Sequence, residues 1–364
     1  MTLQEFSQSL NAFYEKGYDK KIKDLSSMLS VVRKYVLKSF KQIDDSEFSR
    51  FRGYGATGAD KKAVLLDALD NEIRKLNRNI KGCSNPKVDF DALRRLYKYF
   101  FDAKDNIRDA MMSTPVKAHT DFYRMRSADE YKVYNRADIF QISGENRRLT
   151  SKLRFSDDGH PCLYLGASLY IAWEEVRRAS FDTVNFARFR NTKTLSVLDL
   201  TMRPRCRCLT DFVMCYLCLL TSAKVEDGDN YKYRYEVSGL LMKLLQNSIA
   251  HKGNVDGIKY ISSRQFDGSD IEIKGRAIVE AYVFPPKESA DKGVDKWLKE
   301  TFEISAVRTT FMYNIHQINI VNPKCALTSD YQDTMFYELE QQLKKEKMEK
   351  MEKMEKMEKR RNSL

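Results

Sequence analysis

The sequence predicts an α+β protein: a mixed α/β domain preceded by an N-terminal helical bundle and followed by a C-terminal charged helix. Three observations carry this. Apolar residues recur at helical spacing through roughly the first 115 residues. From about Asp121, short β-branched and aromatic runs alternate with turn-forming clusters. From Lys344, the triplet Met-Glu-Lys repeats at Met348, Met351, Met354 and Met357.

In the first region, Leu25, Met28, Leu29, Val32 and Val36 line one helical face, as do Leu65, Leu69, Ile73 and Leu76. The glycine-bearing break RGYGATGAD separates them, and GCSNPKVD ends the second. A third segment, Asp89 to Met112, places Leu93, Leu96, Tyr97 and Phe100 on one face. This predicts a bundle over residues 1–118 whose pattern serves packing rather than chemistry.

Residues 119–326 change texture. FYRMR, CLYLG, LSVLDL, GIKYIS, AIVEAYVF and HQINIV read as strands, with SDDGHP and QFDGSD as turns. Helical patterns intervene at Leu169–Arg178 and Glu236–Ala250. Residues 327–364 read as a C-terminal helix and low-complexity tail. A three-residue repeat drifts around a helix, so its methionines form a spiral instead of a seam. Pairs such as Glu346–Lys350 and Glu349–Lys353 support an exposed single helix.

The 364 residues are 42% hydrophobic, enough for a real core. The longest apolar run, Phe212 to Leu220, is far short of a membrane span. The N-terminus MTLQEFSQSL lacks a basic start and an apolar stretch, so the expectation is a cytoplasmic protein without a secretory signal. The net charge of +12 resides in residues 1–120 and in the tail, leaving the middle nearly neutral. Such flanks can attract nucleic acid, but no zinc-finger, RNP or glycine-rich signature accompanies them. Cys206, Cys208, Cys215 and Cys218 have metal-like spacing, yet the second pair lies inside FVMCYLCLL. Those thiols are read as buried hydrophobes, and no metal is expected.

Four stretches carry the candidate chemistry. They are Phe122-Tyr123-Arg124; Arg154-Phe155-Ser156 with Gly159 and Cys162-Leu163-Tyr164-Leu165-Gly166; Ala172-Trp173-Glu174-Glu175; and Gly257-Ile258-Lys259-Tyr260-Ile261-Ser262-Ser263-Arg264. Singly, each reads as surface charge or packing. In this order and spacing they resemble the RES domain family, over roughly residues 121–325. RFSDDGHPCLYLGASLYIAWEE is the most specific part. The sequence departs from the short forms at Leu153, where they carry Gly, and at Ser156, where they carry Asn.

The resemblance implies an NAD-consuming enzyme related to ADP-ribosyltransferases. It would act as a bacterial toxin or phage-defence effector that splits the nicotinamide–ribose bond by hydrolysis or phosphorolysis. It also implies the residues: Arg124 and Arg154 as the family's arginines, Tyr164 as its strand tyrosine, Glu175 as its acid and Ser262 as its serine. Guanidinium groups suit a pyrophosphate, and a carboxylate suits the cationic ribose of an oxocarbenium-like transition state. Ser262 and Tyr164 would bond or stack on the substrate.

Glu174 and Glu175 project to opposite flanks of the stripe Leu169, Ala172, Trp173 and Val176, and the A-x-x-E spacing favours Glu175. Tyr260, Ser262 and Arg264 alternate and so share a strand face. Arg264 is read as structural, Trp173 as core and His160 as a loop residue. Candidate restraints are an inhibitory antitoxin or regulatory protein, and a homo-oligomer formed through the helical domain. The alternatives are a protein ADP-ribosyltransferase and a non-catalytic module binding nucleic acid or a partner.

Overall fold

The structure is a computed structural model that describes residues 1–15, 22–51, 57–83, 95–96, 113–128, 132–142, 146, 153–156, 161–202, 205–222, 232–250, 255–262, 280–287, 293–309, 331–332 and 334–350. Its helices are α1 (Leu3–Glu15), α2 (Leu25–Lys41), α3 (Gly58–Cys83), α4 (Arg136–Ile139), α5 (Leu169–Glu175), α6 (Leu209–Thr221), α7 (Glu236–Ala250), α8 (Lys296–Thr301) and α9 (Met335–Lys345). Its strands are β1 (Ser113–Val116), β2 (Asp121–Ser127), β3 (Leu163–Gly166), β4 (Val184–Asn191), β5 (Leu195–Leu200), β6 (Gly257–Ile261), β7 (Glu280–Phe284), β8 (Phe302–Ile304), β9 (Arg308–Thr309) and β10 (Glu349–Lys350). The chain is α+β and forms two compact units.

The first unit gathers Met1–Thr114, Leu198–Gly253 and Gln265–Gly268. Helix α2 starts at a reciprocal cap in which Asp24 Oδ1 accepts the Ser27 N–H at 2.7 Å. Met28, Leu29, Val32 and Val36 of α2 and Leu65, Leu69, Ile73 and Leu76 of α3 are buried, as their spacing predicts. The helical unit does not end near residue 118, however: it includes α6 and α7 from the region read as mixed. The FVMCYLCLL run forms α6, apolar all round and buried all round. Phe212 packs against Phe6 and Phe40 at ring distances of 5.3 and 4.8 Å. Cys206 and Cys215 lie buried with sulfurs 3.7 Å apart. Most of the helix read over Asp89–Met112 lies outside the described residues, as do the HQINIV run, His160 and Arg264.

The second unit comprises Pro115–Val197, Asn254–Arg264 and Ser269–Leu364. Its sheet runs β6-β7-β3-β2-β4-β8-β10, with β9 also on β4 and with β5 and β1 beyond β6. Alternation divides β2 between two cores. Phe122 joins Leu163, Leu165, Phe189, Phe284 and Phe302 on one face. Tyr123 and Met125 join Val184 and Phe186 on the other, under Leu169 and Ala172 of α5 and Met335, Leu339 and Leu343 of α9. Each such side chain contributes about 1.5–3 kcal/mol through burial. Among the described residues, no helix is long and apolar enough to cross a membrane.

The C-terminal segment departs from its expected form. Helix α9 is an integral layer of this unit, and the helix stops at Glu346, whose backbone is extended. Residues 349–350 then pair with β8 as a strand, Glu349 opposite Ile304. The fully buried Arg188 explains the stop: its Nη2 donates to the Glu346 carbonyl at 3.1 Å, and Arg308 pairs with the Glu346 carboxylate. These contacts outcompete the few tenths of a kcal/mol that each i,i+4 pair would add to a continued helix. Residues 351–364 lie outside the described part.

Glu340 fastens α9 to α5. Its Oε1 accepts the Leu169 N–H at 2.7 Å and the Tyr331 hydroxyl. Burial pushes this carboxyl up to about 7, against the pull of those two donors and Lys344. An acid whose pKa is raised by folding holds its proton longer in the fold than in the unfolded chain. Its contribution is therefore greatest below about pH 4.5 and is lost as pH rises to about 7, roughly 3 kcal/mol in all. Raising the pH from 5 to 8 should lower the melting temperature of wild type more than that of Glu340→Gln. Parallel curves for the two proteins would remove Glu340 as the cause.

Candidate active site

The site is built where β2 and β3 part. β2 pairs with β4 from Asp121↔Arg190 to Ser127↔Val184, but with β3 only at Tyr123↔Gly166. The next residue, Arg124, crosses the split: its Nη1 donates to the Tyr164 carbonyl at 2.7 Å. Its Nε is buried and has no hydrogen-bond partner among the described residues. Burial, with some repulsion from Arg126, pulls this guanidinium down to about 9, which still leaves it cationic at neutral pH.

Arg154 stands on a tight turn. Leu153 and Ser156 bridge through backbone hydrogen bonds of 3.0 and 3.3 Å. The Tyr164 hydroxyl accepts the Phe155 N–H at 3.1 Å and lies 3.0 Å from Ser156 Oγ, while Cys162 Sγ donates to the Phe155 carbonyl. Tyr164 was expected at the substrate; its hydroxyl instead pins the turn that presents Arg154. Phe155 is buried against Tyr260, with ring centroids 4.8 Å apart, and the Arg154 guanidinium sits 5.9 Å from the same ring.

Glu175 ends α5. Ser168 Oγ caps this helix by accepting the Ile171 N–H at 3.2 Å. Gly166 lets the helix lie directly on β3, because a Cβ there would collide with Ile171 and sit 2.7 Å from the Ser168 carbonyl. The two adjacent glutamates have different fates. Glu174 is 1% exposed and holds Arg178 through both carboxylate oxygens, at 3.0 and 2.9 Å from Nε. That grip fixes a turn in which Arg177 and Arg178 both adopt left-handed backbone, φ 61° and 54°, at a cost of about 1–2 kcal/mol per residue. Trp173 stacks on Phe181 at 5.4 Å and donates to the Ala179 carbonyl, so it belongs to the packing.

Glu175 is half-buried and turned the other way. Its charge adds to the burial that holds the phenols of Tyr260 and Tyr164 well above their ordinary range. Arg124, Arg154, Tyr164 and Glu175 thus converge in one unit around Tyr260. Ser262 is buried just past the end of β6, two residues beyond Tyr260. In the sequence Tyr260 stood out only for the face it was expected to share with Ser262; its place between the acid and an arginine depends on the register of β6, β7 and β3. The arrangement sets two cations and one carboxylate near a single aromatic ring, and guanidinium groups so placed can bind an anion through charge-assisted hydrogen bonds.

No protein-family model matches the chain. It is 25% identical over 229 residues to a Bacillus subtilis (strain 168) protein named "Putative toxin YopC", a match covering 56% of this chain. The chain spans about half the length of that curated relative. Among solved structures it is similar to a chain in the crystal structure of the M. tuberculosis MbcT-MbcA toxin-antitoxin complex. There the identity is 15%, covering 54% of this chain and 86% of that one, with a TM-score of 0.30.

Proposed function

We propose that the second unit binds NAD and cleaves its nicotinamide–ribose bond, and that the protein acts as a toxin restrained by an inhibitory partner protein. The observation that carries this reading is the convergence of Arg124, Arg154 and Glu175 on Tyr260, in the order of motifs that resembles the RES family. The toxin in the name of the Bacillus subtilis relative adds support.

Arg124 and Arg154 grip the pyrophosphate through charge-assisted hydrogen bonds. The buried Nε of Arg124 is a donor suited to a phosphate oxygen. Glu175 holds the ribose hydroxyls. As the glycosidic bond breaks, its electron pair leaves with nicotinamide, and the carboxylate stabilises the positive charge developing on the sugar. Water or phosphate then captures the ribosyl cation. Ser262 orients the substrate, and Tyr164 acts through the turn that it pins.

Incubation with labelled NAD tests the reading: free ADP-ribose or its 1″-phosphate is expected. A labelled protein band would instead mark an ADP-ribosyltransferase, and intact NAD would overturn the proposal. Arg124→Ala and Arg154→Ala should each weaken NAD binding by about 1.5–3 kcal/mol per lost charged hydrogen bond. Unchanged affinity in both variants would remove the pyrophosphate clamp.

A further inference from the structure

We propose that the cleft between α2 and α3 of the first unit is a binding site for the phosphate backbone of nucleic acid. The proposal stands on that unit alone and is independent of the NAD reading.

The two helices run in opposite directions. Arg33 of α2 meets Asp70 of α3, while Leu29, one turn earlier, stands opposite Asn77. The hydroxyl of the buried Tyr216 joins that second pair, lying 3.2 Å from the Leu29 carbonyl and 2.6 Å from Asn77 Oδ1. A cavity of about 720 Å³ lies between the helices. Helical spacing brings Ser26, Ser30 and Arg33 to it from α2, and Asn71, Arg74, Arg78 and Lys81 from α3. One side of each helix therefore faces the cleft.

The lining is strongly basic. With Lys75 it holds five cations, against Glu72 as the one acid among the described lining residues. Asp70 orders two of the cations in advance: one oxygen accepts Arg33 Nε at 2.6 Å and the other accepts Arg74 Nε at 2.9 Å. One carboxylate thus holds guanidiniums from two helices, and a surplus of positive charge remains. Arginine, lysine, serine and asparagine are side chains that contact phosphate oxygens in nucleic-acid complexes. The rise along α3 from Arg74 to Lys81 is about 10 Å. A B-form strand carries a phosphate about every 3.4 Å, so this row suits several phosphates of a polymer better than one small anion. Among the described lining residues none is aromatic, so bases find no platform on which to stack and the contact is with the backbone. Leu29 is the one apolar residue of the described lining and is 1% exposed, so an amphipathic peptide helix finds no row of anchors.

The experiment titrates the full-length protein into labelled oligodeoxythymidine and oligouridine of equal length and follows fluorescence anisotropy between about 50 and 200 mM salt. Both strands should bind at low salt, with affinity falling steeply as salt rises. Arg78→Ala/Lys81→Ala should weaken binding about 10-fold or more. It should also make the slope of log affinity against log salt shallower by about 1.4, the value for two phosphate contacts on a single strand. Lys34 and Lys38 are exposed on α2 but outside the lining, so Lys34→Ala/Lys38→Ala should leave affinity within about twofold. All four side chains are exposed, and both variants should melt with wild type. Binding confined to one of the two polymers would support the site and identify the sugar it takes. No binding at the lowest salt would overturn the proposal. An equal loss from the two double variants would overturn the cleft as the site, leaving a diffuse basic surface. Polyglutamate bound more tightly than either strand would overturn nucleic acid as the ligand in favour of an acidic protein segment.

Discussion

Glu175→Gln should cut NAD turnover by about 10²–10³-fold, the usual loss when a group aimed at developing charge is removed. The change is nearly isosteric and removes only the charge. Glu175 is half-buried at a helix end and carries no core packing, so the melting temperature should stay within about 2 °C of wild type. Loss of function without loss of stability separates a chemical role from a structural one. NAD consumption by purified protein, followed with time, is the measurement. Turnover at the wild-type rate would end the assignment of Glu175 as the acid.

The second large effect is expected from a residue without a side chain. Gly166→Ala places a Cβ against Ile171, 2.7 Å from the Ser168 carbonyl and 3.0 Å from the Ala172 nitrogen. Ile171 can rotate away, but the Ser168 carbonyl belongs to the residue that caps α5 and cannot move without moving the helix. Overpacking of this kind costs about 1–3 kcal/mol. The catalytic loss should be larger in proportion, because α5 carries Glu175, and a misplacement of about 1 Å can cost about 100-fold in rate. Thermal unfolding and NAD turnover measured on one preparation give both numbers. A variant with wild-type stability and rate would show that α5 does not depend on its close approach to β3.

The parts of this molecule that local pattern specifies were legible. Spacing alone marked the buried faces of α2 and α3, and it set Glu174 and Glu175 on opposite flanks of α5 without choosing between them; the fold pairs Glu174 with Arg178 and leaves Glu175 half-buried near Tyr260. Features decided by long-range contact were not legible. Nothing near Phe212 says that α6 packs with Phe6 and Phe40, so the helical unit was drawn too short. The Met-Glu-Lys segment has helical propensity, but Arg188, Arg308 and the edge of β8 claim its first residues. Tyr164 was seen as a site tyrosine, yet the use of its hydroxyl depends on how the turn at Leu153 closes. Tyr260 and Glu340 act through pairings that no short window contains.

The bond from the Leu169 amide to Glu340 spans 171 positions of chain. Domains are made from the N-terminus at about 5–20 residues per second, so every motif that touches the proposed substrate is translated before the residue that fastens the acid's helix. A nascent chain stalled short of Glu340 holds Arg124, Arg154 and Glu175, yet not the brace that fastens the helix of Glu175. The helix that carries Glu175 is therefore braced only late in synthesis, after every strand of the proposed site has been made.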